Sequence, residues 1–152
     1  MDLANIIVAV VAAVLSLGSL GFSVYTYRKA LLHDRKRDTL DAYLLLQEQA
    51  FDPLNRIAPG QMKEIVQNPA SQEYKDVSGY IARIEHFCVG VNKKIYDRET
   101  VYALAHGYLD KALKYRLTPI LDKKKSMTGQ EYYENIQEVL RWMREREKKG
   151  GE

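Results

Sequence analysis

Residues 3 to 27, LANIIVAVVAAVLSLGSLGFSVYTY, carry no charge, and Arg28 and Lys29 follow at once. No other feature narrows what the chain can fold into as far as this one. An α-helix rises 1.5 Å per residue, so the segment spans about 37 Å, enough to cross a hydrocarbon core of about 30 Å with some tilt. A run of 18 or more uncharged, mostly apolar residues marks a membrane span rather than a buried soluble helix. A cleaved signal peptide is not expected. Met1-Asp2 is not a basic n-region, and no small-x-small site precedes a plausible mature start.

The flanks set an expected orientation. Arg28, Lys29, Arg35, Lys36 and Arg37 lie close to the C-terminal end of the segment, against only Asp2 and the terminal amine on the other side. Basic residues stay on the cytoplasmic face, so the N-terminus is expected outside and the body in the cytoplasm. Tyr25 and Tyr27 stand where aromatic rings favour the headgroup level.

Within the segment, alternating steps of four and three pick out Asn5, Ala9, Ala12, Ser16, Ser19, Ser23 and Thr26, all of them small, polar or both. The neighbouring stripe Ile6, Val10, Ala13, Leu17, Leu20 and Val24 is apolar. Lipid gains nothing from serine, so the one-sided arrangement predicts a face that meets other copies of the helix, or water in a pore. The competing expectation is that each hydroxyl satisfies itself on the preceding turn.

The rest of the chain has helical spacing throughout and no sustained alternation, which predicts an all-α protein. The first helix is expected to continue from the membrane through RKALLHDRKRDTLDAYLLLQEQAF. Leu40, Tyr43, Leu44, Gln47 and Phe51 would lie near its inner face, with an end at Asp52-Pro53. Residues 52 to 60 then read as a loop, and QMKEIVQN as a short helix stopped by Pro69. The clearest helix follows, with Tyr74, Val77, Ile81, Ile84, Cys88 and Val91 forming one apolar stripe. Asp97 is the expected N-cap of a helix whose inner face carries Val101, Leu104, Tyr108, Ala112 and Tyr115, bent or ended by Pro119. Thr128 and Glu131 form a capping box for the last helix, with Tyr133, Ile136, Leu140 and Met143 inward. The expected organisation is a transmembrane segment (1–27), a juxtamembrane stalk helix (28–51), a helical cytoplasmic domain of about four helices (52–146) and a frayed tail (147–152).

Composition excludes several functions. With 23 basic against 20 acidic residues, the net charge of +3 is too balanced for a protein whose main partner is nucleic acid. The Lys123-Lys124-Lys125 run has no interleaved aromatics on which bases would stack. One cysteine and no H-E-x-x-H leave no metal-ligand pattern, so neither a metal nor a cofactor is expected. Neither a G-x-S-x-G elbow nor a phosphate-binding G-x-x-x-x-G-K occurs, and no catalytic residue is expected. Glu85 and His86 on the central helix are read as an internal polar tie, with Lys111 or Arg116 as the basic partner. Cys88 lies on the apolar stripe and reads as a small buried hydrophobe. Arg28 and His33 have an Arg-x4-His spacing similar to that of HEPN-type ribonucleases, but Arg28 sits at the membrane boundary, where it would snorkel.

Two stretches, YIARIEHFCVGVNKKIYDRETVYALAHGYL and LTPILDKKKSMTGQEYYENIQEVL, resemble a family of short uncharacterised bacterial proteins with one N-terminal membrane helix and a helical cytosolic domain of unknown function. The resemblance covers most of residues 35 to 143. It rests on the helix carrying Glu85 and Gly90, the start at Asp97 and the aromatic-acidic opening of the last helix. It brings no catalytic residue with it. The layout also resembles small membrane accessory proteins of RNA-targeting CRISPR and other anti-phage systems. The expectation is therefore a non-enzymatic, homo-oligomeric membrane protein whose cytoplasmic domain binds an unidentified protein or signal, with a pore-forming or membrane-perturbing defence effector as its sharper form. The alternatives are a membrane-tethered HEPN-like ribonuclease and a simple membrane-anchored adaptor.

Overall fold

The computed structural model describes residues 2–112, 116–128 and 133–150, except for the side chains at 4, 5, 59, 110–112, 127, 128 and 150. The described residues are helical with short connections, and no strand occurs among them. The chain divides into two compact units, Met1–Arg35 and Lys36–Glu152.

Helix α1 (Leu3–Leu46) supplies the first unit and opens the second. No proline interrupts it, and it contains no glycine beyond Gly21, so nothing in the sequence ends the helix at the last apolar residue. Every described side chain of the first unit is exposed.

In the second unit α1 does not stop at Asp52-Pro53. A π-helical turn (Gln47–Phe51) follows, in which the Asp52 N–H donates to the Gln47 carbonyl, and α2 (Asp52–Arg56) continues the helix. Pro53 sits in the first turn of α2, where the N–H it lacks has least to lose. The break comes at Ile57 and Ala58, both extended, before α3 (Pro59–Gln67). The inner face of α1 also differs from the expected one. Thr39, Tyr43, Leu46 and Ala50 are buried, whereas Leu40 and Leu44 are 40% and 53% exposed. The wider π turn rotates the helix so that both Ala50 and Phe51 point inward.

Helix α4 (Gln72–Asn92) is the axis of this unit. The Ser71 hydroxyl caps it by accepting from the Tyr74 N–H at 3.1 Å, and all six residues of the expected stripe are buried. Its end is a Schellman turn. The Ile95 N–H returns to the Gly90 carbonyl at 2.9 Å and the Lys94 N–H to Val91 at 3.2 Å, with Lys94 in the left-handed region at φ 59°. Tyr96 then folds back and stacks on Phe87, ring centroids 5.0 Å apart. Gly90 permits this, because a Cβ there would lie 2.6 Å from Tyr96 Cδ2.

Helix α5 (Arg98–Ala112) starts as expected, with Asp97 Oδ1 accepting from the Thr100 N–H at 2.9 Å. The Asp97 N–H in turn donates to the hydroxyl of fully buried Thr39, tying α1 to this corner. Among the described side chains of α5, Val101, Ala105 and Leu109 are buried, while Leu104 and Tyr108 are half-buried. Helix α6 (Thr118–Thr128), not anticipated from the sequence, has Pro119 in its first turn and buries Ile120. Helix α7 (Glu134–Gly150) buries Ile136, Val139 and Met143, with Tyr133 and Leu140 half-buried. The unit thus contains more helical segments than the four expected, because α2 and α6 are helices rather than loops. Tyr115 and residues 129–131 of the expected capping box fall outside the described residues, and the side chains of Ala112 and Thr128 are not described.

The α4 end gives a stability test in opposite directions. Lys94→Gly removes the left-handed penalty and is expected to stabilise by about 0.5–1 kcal/mol. Gly90→Ala displaces Tyr96 and is expected to cost about 1–3 kcal/mol. Thermal unfolding of the two variants reads both signs.

Candidate functional site

The first candidate region is the uncharged half of α1. Ser16, Ser19 and Ser23 donate to the carbonyls of Ala12, Leu15 and Ser19 at 2.8, 2.9 and 2.9 Å, and Thr26 reaches Phe22 and Ser23 at 3.0 Å. Each hydroxyl proton is therefore spent within its own helix. What the stripe still offers a neighbour is small size and acceptor lone pairs. Ala9 and Ala12 are exposed with it, and the Asn5 side chain lies outside the described residues. Arg28, Lys29, Arg35, Lys36 and Arg37 are exposed. Arg28 and His33 are five positions apart on one helix, about 140° around it, so no single face presents both.

The second region is the junction of α4 and α7. Glu85 does make an internal polar tie, but not with a basic side chain. Its carboxylate accepts from the Asn135 N–H at 3.2 Å, the Asn135 side-chain amide at 2.7 Å and the Ile136 N–H at 3.0 Å. Asn135 and Ile136 occupy the second and third positions of α7, whose N–H groups have no partner inside the helix. Glu85 thus caps a helix that is remote in sequence, and its negative charge meets the positive end of the α7 dipole. One heptad on, the Asn92 amide donates to Asn135 Oδ1 at 3.1 Å and to its carbonyl at 3.3 Å.

Arg116, the partner expected for Glu85, instead donates to Asn55, through Oδ1 and through the carbonyl at 3.3 Å. The Lys111 side chain is outside the described residues, and His86 is exposed. Sequence reading missed Asn92 and Asn135. The available signal was the heptad spacing from Glu85 to Asn92 beside the apolar stripe, with a polar Asn135 at the start of the last helix.

The far end of α7 is held by charge and aromatic faces. Arg146 pairs with Glu99 and lies 4.4 Å over the Tyr102 ring, and Arg98 lies 5.4 Å over Trp142. Hydrogen bonding to Arg146 holds Glu99 below the usual carboxylate range. The folded-state value is depressed, so the pair stabilises above the unfolded pKa and weakens as pH falls through the folded one; its exposure makes that contribution small and salt-sensitive.

Chemistry beyond structure has little to work with in these residues. Cys88 is 1% exposed, and burial pushes its thiol far up, which keeps it protonated and inert. Tyr43 and Tyr108 are also raised by burial, and their hydroxyls donate to the carbonyls of Leu104 and Phe51. Among the described residues, no group of three or more His, Cys, Asp or Glu side chains is placed to hold a metal ion.

Fold and geometry together define an all-helical protein with one N-terminal helix long and apolar enough to cross a membrane. The chain belongs to the family described as Domain of unknown function (DUF4760), whose model matches residues 6–143. No curated protein and no solved structure matches it.

The Glu85 cap predicts an effect on α7 in particular. Glu85→Ala strands two helix N–H groups and is expected to destabilise by about 1–3 kcal/mol, while Glu85→Gln, which keeps an acceptor, costs less. Hydrogen exchange should show the loss of protection concentrated in Glu134–Gly150.

Proposed function

We propose that this is a single-pass protein of a bacterial inner membrane, with its N-terminus outside, whose copies associate through the small-residue face of α1. The helical unit that follows lies in the cytoplasm and binds a protein or signal there, without catalysis of its own. The observation that carries this reading is the uncharged helix itself. An 18-residue window within it has a mean hydropathy of 2.3, and none of that window is buried in the protein. Unburied apolar surface of that extent needs lipid or other copies of itself to cover it. The basic flank supports the orientation. The one-sided line from Ala9 to Thr26 supports self-association, because small side chains let helix backbones approach closely.

The spent hydroxyls refine the mode of association. Copies would pack by shape along the seam, with little hydrogen bonding between serine side chains. A water-filled pore is the special case in which enough copies assemble to leave a lumen lined by this face.

The test separates seam, pore and simple anchor. Leucine at Ser16, Ser19 and Ser23 together should leave membrane insertion intact and reduce crosslinked oligomer in membranes. Unchanged oligomer size would overturn the seam. Conductance across a bilayer that is present in the wild type and lost in the triple variant would identify the pore. Full function after residues 1–27 are exchanged for an unrelated membrane helix would favour the simple anchor.

A further inference from the structure

Between the end of α1 and the middle of α4 lies a cavity of about 330 Å³. Its inner wall is Leu46, Phe87 and Tyr96, the first two only 6% exposed. The Phe87–Tyr96 stack makes that wall stiff, and Gly90 is what allows the stack to form. Ala42, Ala82 and exposed Leu45 also line the cavity, the two alanines with side chains too small to fill it. Gln49, from the π-helical turn, also lines the cavity, and such turns recur at functional sites.

The mouth is electrostatically one-sided. Arg83 and His86, three positions apart on α4 and so on one face, both line it, and no acidic side chain does. Neither has a hydrogen-bond or ion-pair partner among the described residues. A second cavity of the same unit, about 480 Å³ between α3 and α4, has the opposite character, lined by Glu64, Glu73 and Asp76 without any basic residue. The two cavities therefore differ in the sign of the charge that lines them.

We infer that the Arg83–His86 cavity binds a small single-chain amphiphile with an anionic head, its tail against Leu46, Phe87 and Tyr96 and its head at Arg83. A planar guanidinium pairs with a carboxylate or a phosphate in the same fork geometry. At roughly 30 Å³ per water-sized atom, the 330 Å³ cavity accepts a tail of about ten heavy atoms, with the head at its open edge beside Arg83. Apolar walls with a few convergent polar groups are the usual make-up of a small-molecule site.

The test uses the full chain in phosphatidylcholine nanodiscs with decanoate carrying a photoreactive diazirine, the labelled peptides being read by mass spectrometry. Label is expected in 42–49 and 82–87. Excess decanoate or decyl phosphate should displace it, the stronger competitor identifying the head group, and decanol should not. Arg83→Gln with His86→Gln should cut labelling roughly tenfold. Ala82→Leu should abolish it by filling the opening. Ala82 is exposed and leucine is a good helix former, so an unchanged melting temperature will show that this variant still folds. Label confined to residues 3–27 or to the acidic cavity, equal displacement by decanol, or unchanged labelling in either variant would overturn the inference.

Discussion

The second unit depends on one helix being buried on several sides at once. Val77, Ile81, Ile84, Cys88 and Val91 of α4 are each no more than 1% exposed, and α4 is packed by the π-helical turn, α2, α3 and α7. Burying a side chain of this kind is worth about 1.5–3 kcal/mol. A helix covered this way leaves its polar residues only narrow outlets. Glu85, beside the stripe, resolves that problem by turning its carboxylate to the two bare N–H groups at the start of α7. Capping then does what burial alone does weakly for α7: outside Ile136, Val139 and Met143 that helix is largely charged and exposed, so the cap fixes where it begins.

This division of labour explains what the sequence made legible. The α4 stripe follows alternating steps of three and four residues without a break, and periodicity is a property of neighbours in sequence. The Asp97 cap is equally local, three residues from the Thr100 N–H it accepts. The partner of Glu85 is not local: Asn135 lies 50 positions away, and charge alone suggested Lys111 or Arg116. The strongest acceptor on α4 was instead matched to backbone donors, which no side-chain pattern records. The end of α1 misled for a related reason. Asp-Pro reads as a stop when each turn is assumed to be α, but one wider turn placed Pro53 in a new first turn and rotated Ala50 and Phe51 inward together.

The same backbone logic governs the uncharged half of α1. Three serines and a threonine close hydrogen bonds on their own helix, which would remove the cost of placing hydroxyls in the lipid that the proposed span implies. Their presence therefore needs no partner for its polarity, and polarity cannot be the force behind the proposed seam. Size remains. Gly18 and Gly21, on an adjacent stripe, have nothing within 4 Å of where a Cβ would stand, so the helix is slender over a wide arc.

Slenderness alone would let copies slide and rotate. What would fix the seam is its period. A line at alternating steps of four and three follows 3.5 residues per turn, whereas a straight helix drifts about 20° per heptad away from it. From Asn5 to Thr26 the stripe runs through three heptads, an accumulated drift of about 60°, so straight helices touching at Ser16 would part company at both ends. A left-handed supercoil would remove the drift, and in the proposed orientation copies inserted by the same basic flank would run parallel, bringing identical residues to the same depth. In that proposed arrangement the smallness of Ala9, Ala12, Ser16, Ser19 and Ser23 would act at every level of the helix. One bulky substitution would be absorbed by local separation, while three at successive turns would force the helices apart along the whole seam.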